Sequence, residues 1–144
     1  MASVHDVAAY ILQKRGTMTT MKLQKLVYYS QAWSLVWEEE PLFPEKIEAW
    51  ANGPVVRELF ERHRGEFKVS QWDGDPNAVT PVQSETIDMV LQYYGKMSSV
   101  ELSNLTHREA PWREAREGLS TNERGNAEIS LESMANYYSS LVEG

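Results

Sequence analysis

Cysteine is absent from the 144 residues, which removes disulfides, thiolate nucleophiles, iron–sulfur clusters and cysteine zinc sites together. Nor is there an apolar run near the roughly 18 residues that a membrane span needs. The N-terminal run MASVHDVAAYILQKRG lacks the charged start and unbroken apolar stretch of a secretory signal, so the expected location is the cytoplasm. Positive charge is scarce: 14 Lys and Arg stand against 21 Asp and Glu, a formal net charge of −7. Nucleic-acid affinity comes largely from neutralising phosphates, so nucleic acid is disfavoured as a partner, whereas a basic protein would be attracted. Internal repeats, low-complexity tracts and linkers are missing as well. With 42% hydrophobic and 24% charged residues, one soluble globular domain over residues 1–144 is expected.

What is present is helical patterning. Ser3 is an N-cap with Asp6 in the first turn, and Val4, Val7, Ala8, Ile11 and Leu12 keep helical spacing until Gly16. A second helix is expected from Thr19 or Thr20 to about Glu38. Leu23, Leu26, Val27, Trp33 and Trp37 mark one side of it, while Tyr28, Tyr29, Ala32, Leu35 and Val36 populate the rest. A helix apolar nearly all round belongs at the centre of its domain. Prolines at 41 and 44 close it. A strand is expected at Ile47 to Ala51, a break at Asn52-Gly53-Pro54, then a helix of about ten residues carrying Val55, Val56, Leu59 and Phe60. Phe67 to Val69 reads as a short strand and Trp72 to Pro81 as loop. Further helices are expected over Ser84 to Met97, from Ser98 or Ser99 to about His107, briefly after Pro111, and over Leu131 to Leu141 behind a Ser130 cap. The fold class is mainly α (α+β): a single compact domain around a central buried helix at 20–37, with a small minor β-sheet.

Little of this assembles into chemistry. Asp73-Gly74-Asp75-Pro76-Asn77 imitates half of a calcium loop. Ala78 and Ser84 hold the places of its glycine and bidentate glutamate, so a surface turn is the better reading. His5, His63 and His107 share no zinc-type spacing, and His63, between Arg62 and Arg64, reads as a cation at a helix C-terminus. No serine lies in a nucleophile-elbow pattern. No catalytic residue, cofactor or metal is assigned. Arg57, Arg62, Arg64 and Lys68 interleave with Glu58, Glu61 and Glu66, which predicts a solvated, salt-laced face. Tyr28-Tyr29, Tyr93-Tyr94 and Tyr137-Tyr138 lie on helices, where neighbours point about 100° apart. One ring of each pair is expected in the core and the other at its rim.

The stretch AWANGPVVRELF (49–60) reads as a strand turning on glycine into a helix, a geometry also used to hold phosphate. A phosphate loop needs more glycines, or a lysine and a hydroxyl after them, and Pro54 deletes one of the amides. Proline as first helical residue with glycine before it instead fixes an angle between strand and helix. Trp50, Asn52 and Arg57 would be displayed around that corner.

The runs MTTMKLQKLVYYSQAWSL (18–35), IEAWANGPVVRELF (47–60) and LSNLTHREAPWREAR (102–116) together resemble the Panacea domain family, which includes SocA-like antitoxins and phage-associated proteins. The resemblance spans roughly residues 4 to 140, and Thr106-His107 and Pro111-Trp112 mark its third motif. It implies a mainly helical antitoxin, not an enzyme, that neutralises a co-encoded toxin by direct protein contact. It further implies an adaptor that delivers the toxin to the ClpXP protease, as SocA-like members are described. The family pairs with unrelated toxins, so the toxin itself is not implied; a homo-oligomer is compatible with the sequence. Trp50, Asn52, Gly53, Pro54, Arg57, His107, Pro111 and Trp112 are the expected partner-binding or family-motif residues, with the Arg57 and Trp112 landmarks meeting in space. Two other classes compete: a small DNA-binding regulator using a helix at 54–64, and a small hydrolase using His107 with a carboxylate.

Overall fold

A computed structural model describes residues 1–143. The chain runs α1 (Val4–Arg15), β1 (Met18–Thr19), α2 (Thr20–Trp37), β2 (Ile47–Trp50), β3 (Gly53–Val56), α3 (Arg57–His63) and β4 (Lys68–Val69). A 3₁₀ turn at Pro76–Ala78 follows, then α4 (Pro81–Tyr94), α5 (Ser99–His107), α6 (Ala110–Ala115), β5 (Glu128–Ile129) and α7 (Leu131–Glu143). The fold is mainly helical, with two small antiparallel sheets in the orders β1-β4 and β3-β2-β5. No helix among the described residues is long and apolar enough to cross a membrane.

Local signals place most helix ends. Ser3 and Asp6 form a reciprocal capping box on α1, and Gly16 closes it at φ 76°. The Thr19 hydroxyl accepts from the Lys22 amide at the start of α2. Helix α4 begins and ends three residues earlier than expected, because Thr80 and Gln83 cap it reciprocally and Pro81 takes the first turn. Two strands of two residues each, β1 and β5, carry no sequence pattern long enough to read. They exist because β4 and β2 pair with them.

Helix α2 is the hub. It packs against α1, α4, α5, α7 and β3, and Leu23, Leu26, Val27, Tyr28, Tyr29 and Ala32 are all at most 1% exposed. Burying its polar residues requires partners for them. Gln31 accepts from the Leu42 amide (2.7 Å) and donates to the Phe43 carbonyl (2.9 Å), pinning the connection to β2. Gln24 accepts from the Val56 amide (2.8 Å) and donates to the Val56 carbonyl (3.2 Å), closing the outer edge of β3 as another strand would. Trp33 and Trp37 stack at 4.9 Å on the rim, so the apolar side of α2 fades towards its C-terminus.

Two expectations are corrected. Val55 and Val56 do not begin a helix: residues 53–56 form β3, paired with β2 across a two-residue loop, Ala51-Asn52. Branched side chains suit a pleated strand, and Gln24 supplies its edge partner. Because the Val56 polar groups point away from β2, so do those of Pro54 two residues earlier. The missing proline N–H therefore costs no ladder bond. Helix α3 starts only at Arg57 and has 7 residues. Second, Tyr28 and Tyr29 do not divide between core and rim; both are buried. Glu109, itself 5% exposed, accepts from the Tyr29 and Tyr138 hydroxyls at 2.7 Å each, and Tyr28 meets Tyr138 at 3.0 Å. The other two pairs do divide, with Tyr94 and Tyr138 inside.

Leu26→Ala should cost about 2–5 kcal/mol of stability through cavity formation, as should Trp33→Ala, since Trp33 packs on the core. Gln31→Leu should cost about 1–3 kcal/mol by stranding the Leu42 amide and Phe43 carbonyl. Denaturant unfolding of the variants checks each; unchanged midpoints would show that α2 is not the hub.

Candidate functional site

The β2-β3 hairpin that leads into Arg57 meets the Trp112 landmark, and hydrogen bonds hold them together. Arg57 itself turns to Glu48 on the other side of the hairpin and makes none of these bonds. Trp112 Nε1 donates to the Trp50 carbonyl at 2.7 Å, the Ser103 hydroxyl to the Asn52 carbonyl at 2.6 Å, and Arg116 to the Ala49 carbonyl at 3.1 Å. Helices α5 and α6 are thereby fastened to the backbone of the β2-β3 hairpin. Trp112 is 5% exposed; the His107 ring stacks on it at 4.1 Å and the Arg116 guanidinium lies 5.0 Å from its ring. Arg116, 4% exposed, has no carboxylate partner among the described residues and donates to the carbonyls of Ser120, Thr121 and Glu123 instead. That organises the 117–127 segment and carries Arg124, Gly125 and Asn126 to the side of Trp50. Its spacing four residues after Trp112, one helical turn, was the available sequence signal.

Beneath the hairpin tip the packing is close. Gly53 takes φ 123°, where any other residue is strained, and a Cβ there would stand 2.6 Å from Lys25 Cε and 3.0 Å from Thr106 Oγ1. Lys25 is wholly buried, and its Nζ has no hydrogen-bond partner. Burial alone pushes its pKa down to about 7. His107 Nε2 is likewise buried without a partner; burial, then the charges of Lys25 and Arg116, lower its pKa. No carboxylate bonds to His107 among the described residues, so the pair a hydrolase would use is not assembled. Gly53, Pro54, Pro111 and Trp112 are all buried on this inner side, together with the Nε2 edge of His107.

The outer side is different. Glu48 and Trp50 share the outward face of β2, and Trp50 Nε1 donates to Glu48 Oε1 at 2.8 Å. Arg57 donates twice to the same carboxylate, at 2.9 and 3.1 Å. Burial raises the Glu48 pKa, but the bonds from Arg57 and Trp50 outweigh it and hold it below the usual carboxylate value. The Arg57 guanidinium lies 5.4 Å over the Trp50 ring, Phe60 meets Trp50 edge-on at 4.8 Å, and Arg64 lies 6.0 Å over Phe60. Arg57, Phe60 and Arg64 stand at i, i+3 and i+7, one face of α3 running into its C-cap, whereas Glu58 reaches towards His5 at 3.6 Å. This stack borders a groove of about 810 Å³ whose lining also includes Met21, Gln24, Asn52, Arg124 and Asn126.

Two other sequence candidates resolve simply. His63 is not a free cation: it is 4% exposed, its ring meets Gln24 Nε2 at 2.9 Å, and burial lowers its pKa. Asp75 caps the 3₁₀ turn and its amide donates to the Asp6 carboxylate, and no cluster of three metal-ligating side chains occurs among the described residues. Phe60, Arg64, Arg124 and Glu48 were missed as site residues. The 57-60-64 spacing was legible, but only the hairpin shows what that face looks onto.

The model of the antitoxin SocA-like, Panacea domain family matches residues 23–113, more than half of the chain. The chain belongs to that family. Curated proteins and solved structures give no match. The matched span carries α2 from Leu23 onward, the hairpin, α3, α4, α5 and the Pro111-Trp112 pair, so it contains both halves of the site apart from the first turn of α2, Arg116 and the segment Arg116 holds.

Lys25→Met removes a buried unpaired amine and should raise stability. The amine titrates near 10.4 when unfolded but at about 7 when folded, so between those values the unfolded chain binds more protons and wild-type stability climbs with pH. Urea unfolding at about pH 7 and 9.5 should show a larger gain for wild type than for Lys25→Met; equal gains would assign the proton elsewhere. Trp112→Ala should cost about 3–5 kcal/mol, seen as a lowered urea midpoint.

Proposed function

We propose that this Panacea domain is an antitoxin that neutralises a co-encoded toxin by direct protein–protein contact, on the face carrying Trp50, Asn52, Arg57 and Phe60. The observation behind this reading is the stack of half-buried Trp50 and Phe60 with exposed Arg57 and Arg64 along an open groove. Tryptophan and arginine are the residue types that dominate binding hot spots. Here Glu48 already holds both Trp50 and Arg57, so docking costs little further side-chain entropy. His107, Pro111, Trp112, Gly53 and Pro54 support that face from beneath. Membership of a SocA-like family extends the proposal to delivery of the bound toxin to ClpXP in the cytoplasm. No catalytic step is part of it.

Co-purification with the product of the neighbouring gene, and rescue of growth when both are expressed, test the antitoxin role. Arg57→Ala should weaken toxin affinity roughly tenfold or more with an essentially unchanged melting temperature. Normal affinity in a folded Arg57→Ala removes Arg57 from the surface. For the adaptor role, the toxin should persist longer in cells lacking ClpXP; an unchanged lifetime would leave simple blocking.

A further inference from the structure

The groove reverses the charge of the molecule around it. The chain carries a formal charge of −7, yet the groove is lined by Arg57, Arg64 and Arg124 against Glu66 alone. Glu48 already neutralises Arg57. Arg64 and Arg124 are exposed and have no ion-pair or hydrogen-bond partner among the described residues. We infer that the groove binds an acidic, extended segment of the toxin, a conclusion that rests on the antitoxin reading and names the partner's chemistry.

Each planar guanidinium offers a carboxylate two parallel donors, a match that a lysine or a neutral amide does not provide. The same lining offers apolar surface from Trp50, Phe60 and Met21. A segment that mixes carboxylates with apolar side chains sets the first against Arg64 and Arg124 and the second on Trp50 and Phe60. Asn52 and Asn126 on the same lining supply amides for its backbone. A nucleic acid fits less well, because its charge recurs at every residue. Glu66 in the lining would oppose that continuous row.

Charge reversal separates the outcomes. Toxin affinity of the Arg64→Glu/Arg124→Glu double variant should fall at least tenfold at an unchanged melting temperature, while Arg64→Lys/Arg124→Lys keeps more of it. Undiminished affinity of the reversed variant overturns the inference and leaves the antitoxin role standing. A second measurement holds even if the toxin does not bind and the antitoxin reading fails. A fluorescent decapeptide of alternating glutamate and leucine should bind the wild-type chain, at least tenfold more tightly than its glutamine counterpart. The affinity should fall several-fold as salt rises from about 0.05 to 0.3 M. Equal binding of the two peptides, no binding of either, or tighter binding of a ten-residue oligothymidine overturns the assignment of an acidic peptide.

Discussion

Burying α2 on nearly every side obliges its polar side chains to find partners inside the protein, since each unmet group there costs about 1–3 kcal/mol. The rest of the fold is arranged around meeting that obligation. Gln31 claims the chain at Leu42 and Phe43, Gln24 claims β3 at Val56, and Ser34 claims the Glu40 carbonyl. Tyr29 reaches Glu109, which Tyr138 also reaches from α7. Elements distant in sequence are thus tied to one helix by directional bonds as well as by apolar contact. A core held that way has one register, because sliding any element strands a buried group.

Lys25 is the exception, and its position gives the exception meaning. Its stem fills the space under Gly53 that a Cβ would need, so the hairpin tip rests directly on α2. From the side, α5 and α6 grip the same hairpin through backbone carbonyls at Ala49, Trp50 and Asn52. The hairpin is therefore clamped from below and from one side while its outward face stays open. A contact surface mounted on such a support loses little freedom when a partner arrives, which favours tight binding from a small patch.

Charge is sorted by the same framework. Acidic residues outnumber basic ones in the chain, and α3 alternates the two signs along its sequence. Helical spacing turns Arg57 and Arg64 to one face with Phe60, while Arg116 holds the segment that brings Arg124 to meet them. A net field that attracts cations thus coexists with one groove of opposite character. Long-range steering and local recognition are different quantities here, since exposed charges are screened beyond about 10 Å and contact pairs are not.

The sequence alone settled what depends on neighbours within a turn or two. The caps at Ser3 and Ser130, the break at Gly16, the apolar surround of α2 and the three family motifs were all legible, because capping and periodicity are local. The Trp112 landmark was expected to meet the Arg57 landmark, but it joins the hairpin at the Trp50 carbonyl, and Arg57 itself turns to Glu48. Tertiary structure alone decided the conformation of Val55-Val56, where a strand partner and the Gln24 carboxamide overrode a helical pattern. It likewise decided that Tyr28 and Tyr29 are both interior, because a carboxylate 80 residues away from Tyr29 receives its hydroxyl. It also split one motif into a buried support and an exposed surface. Such outcomes turn on which groups share a small dry volume, and closeness across the fold leaves no trace in local spacing.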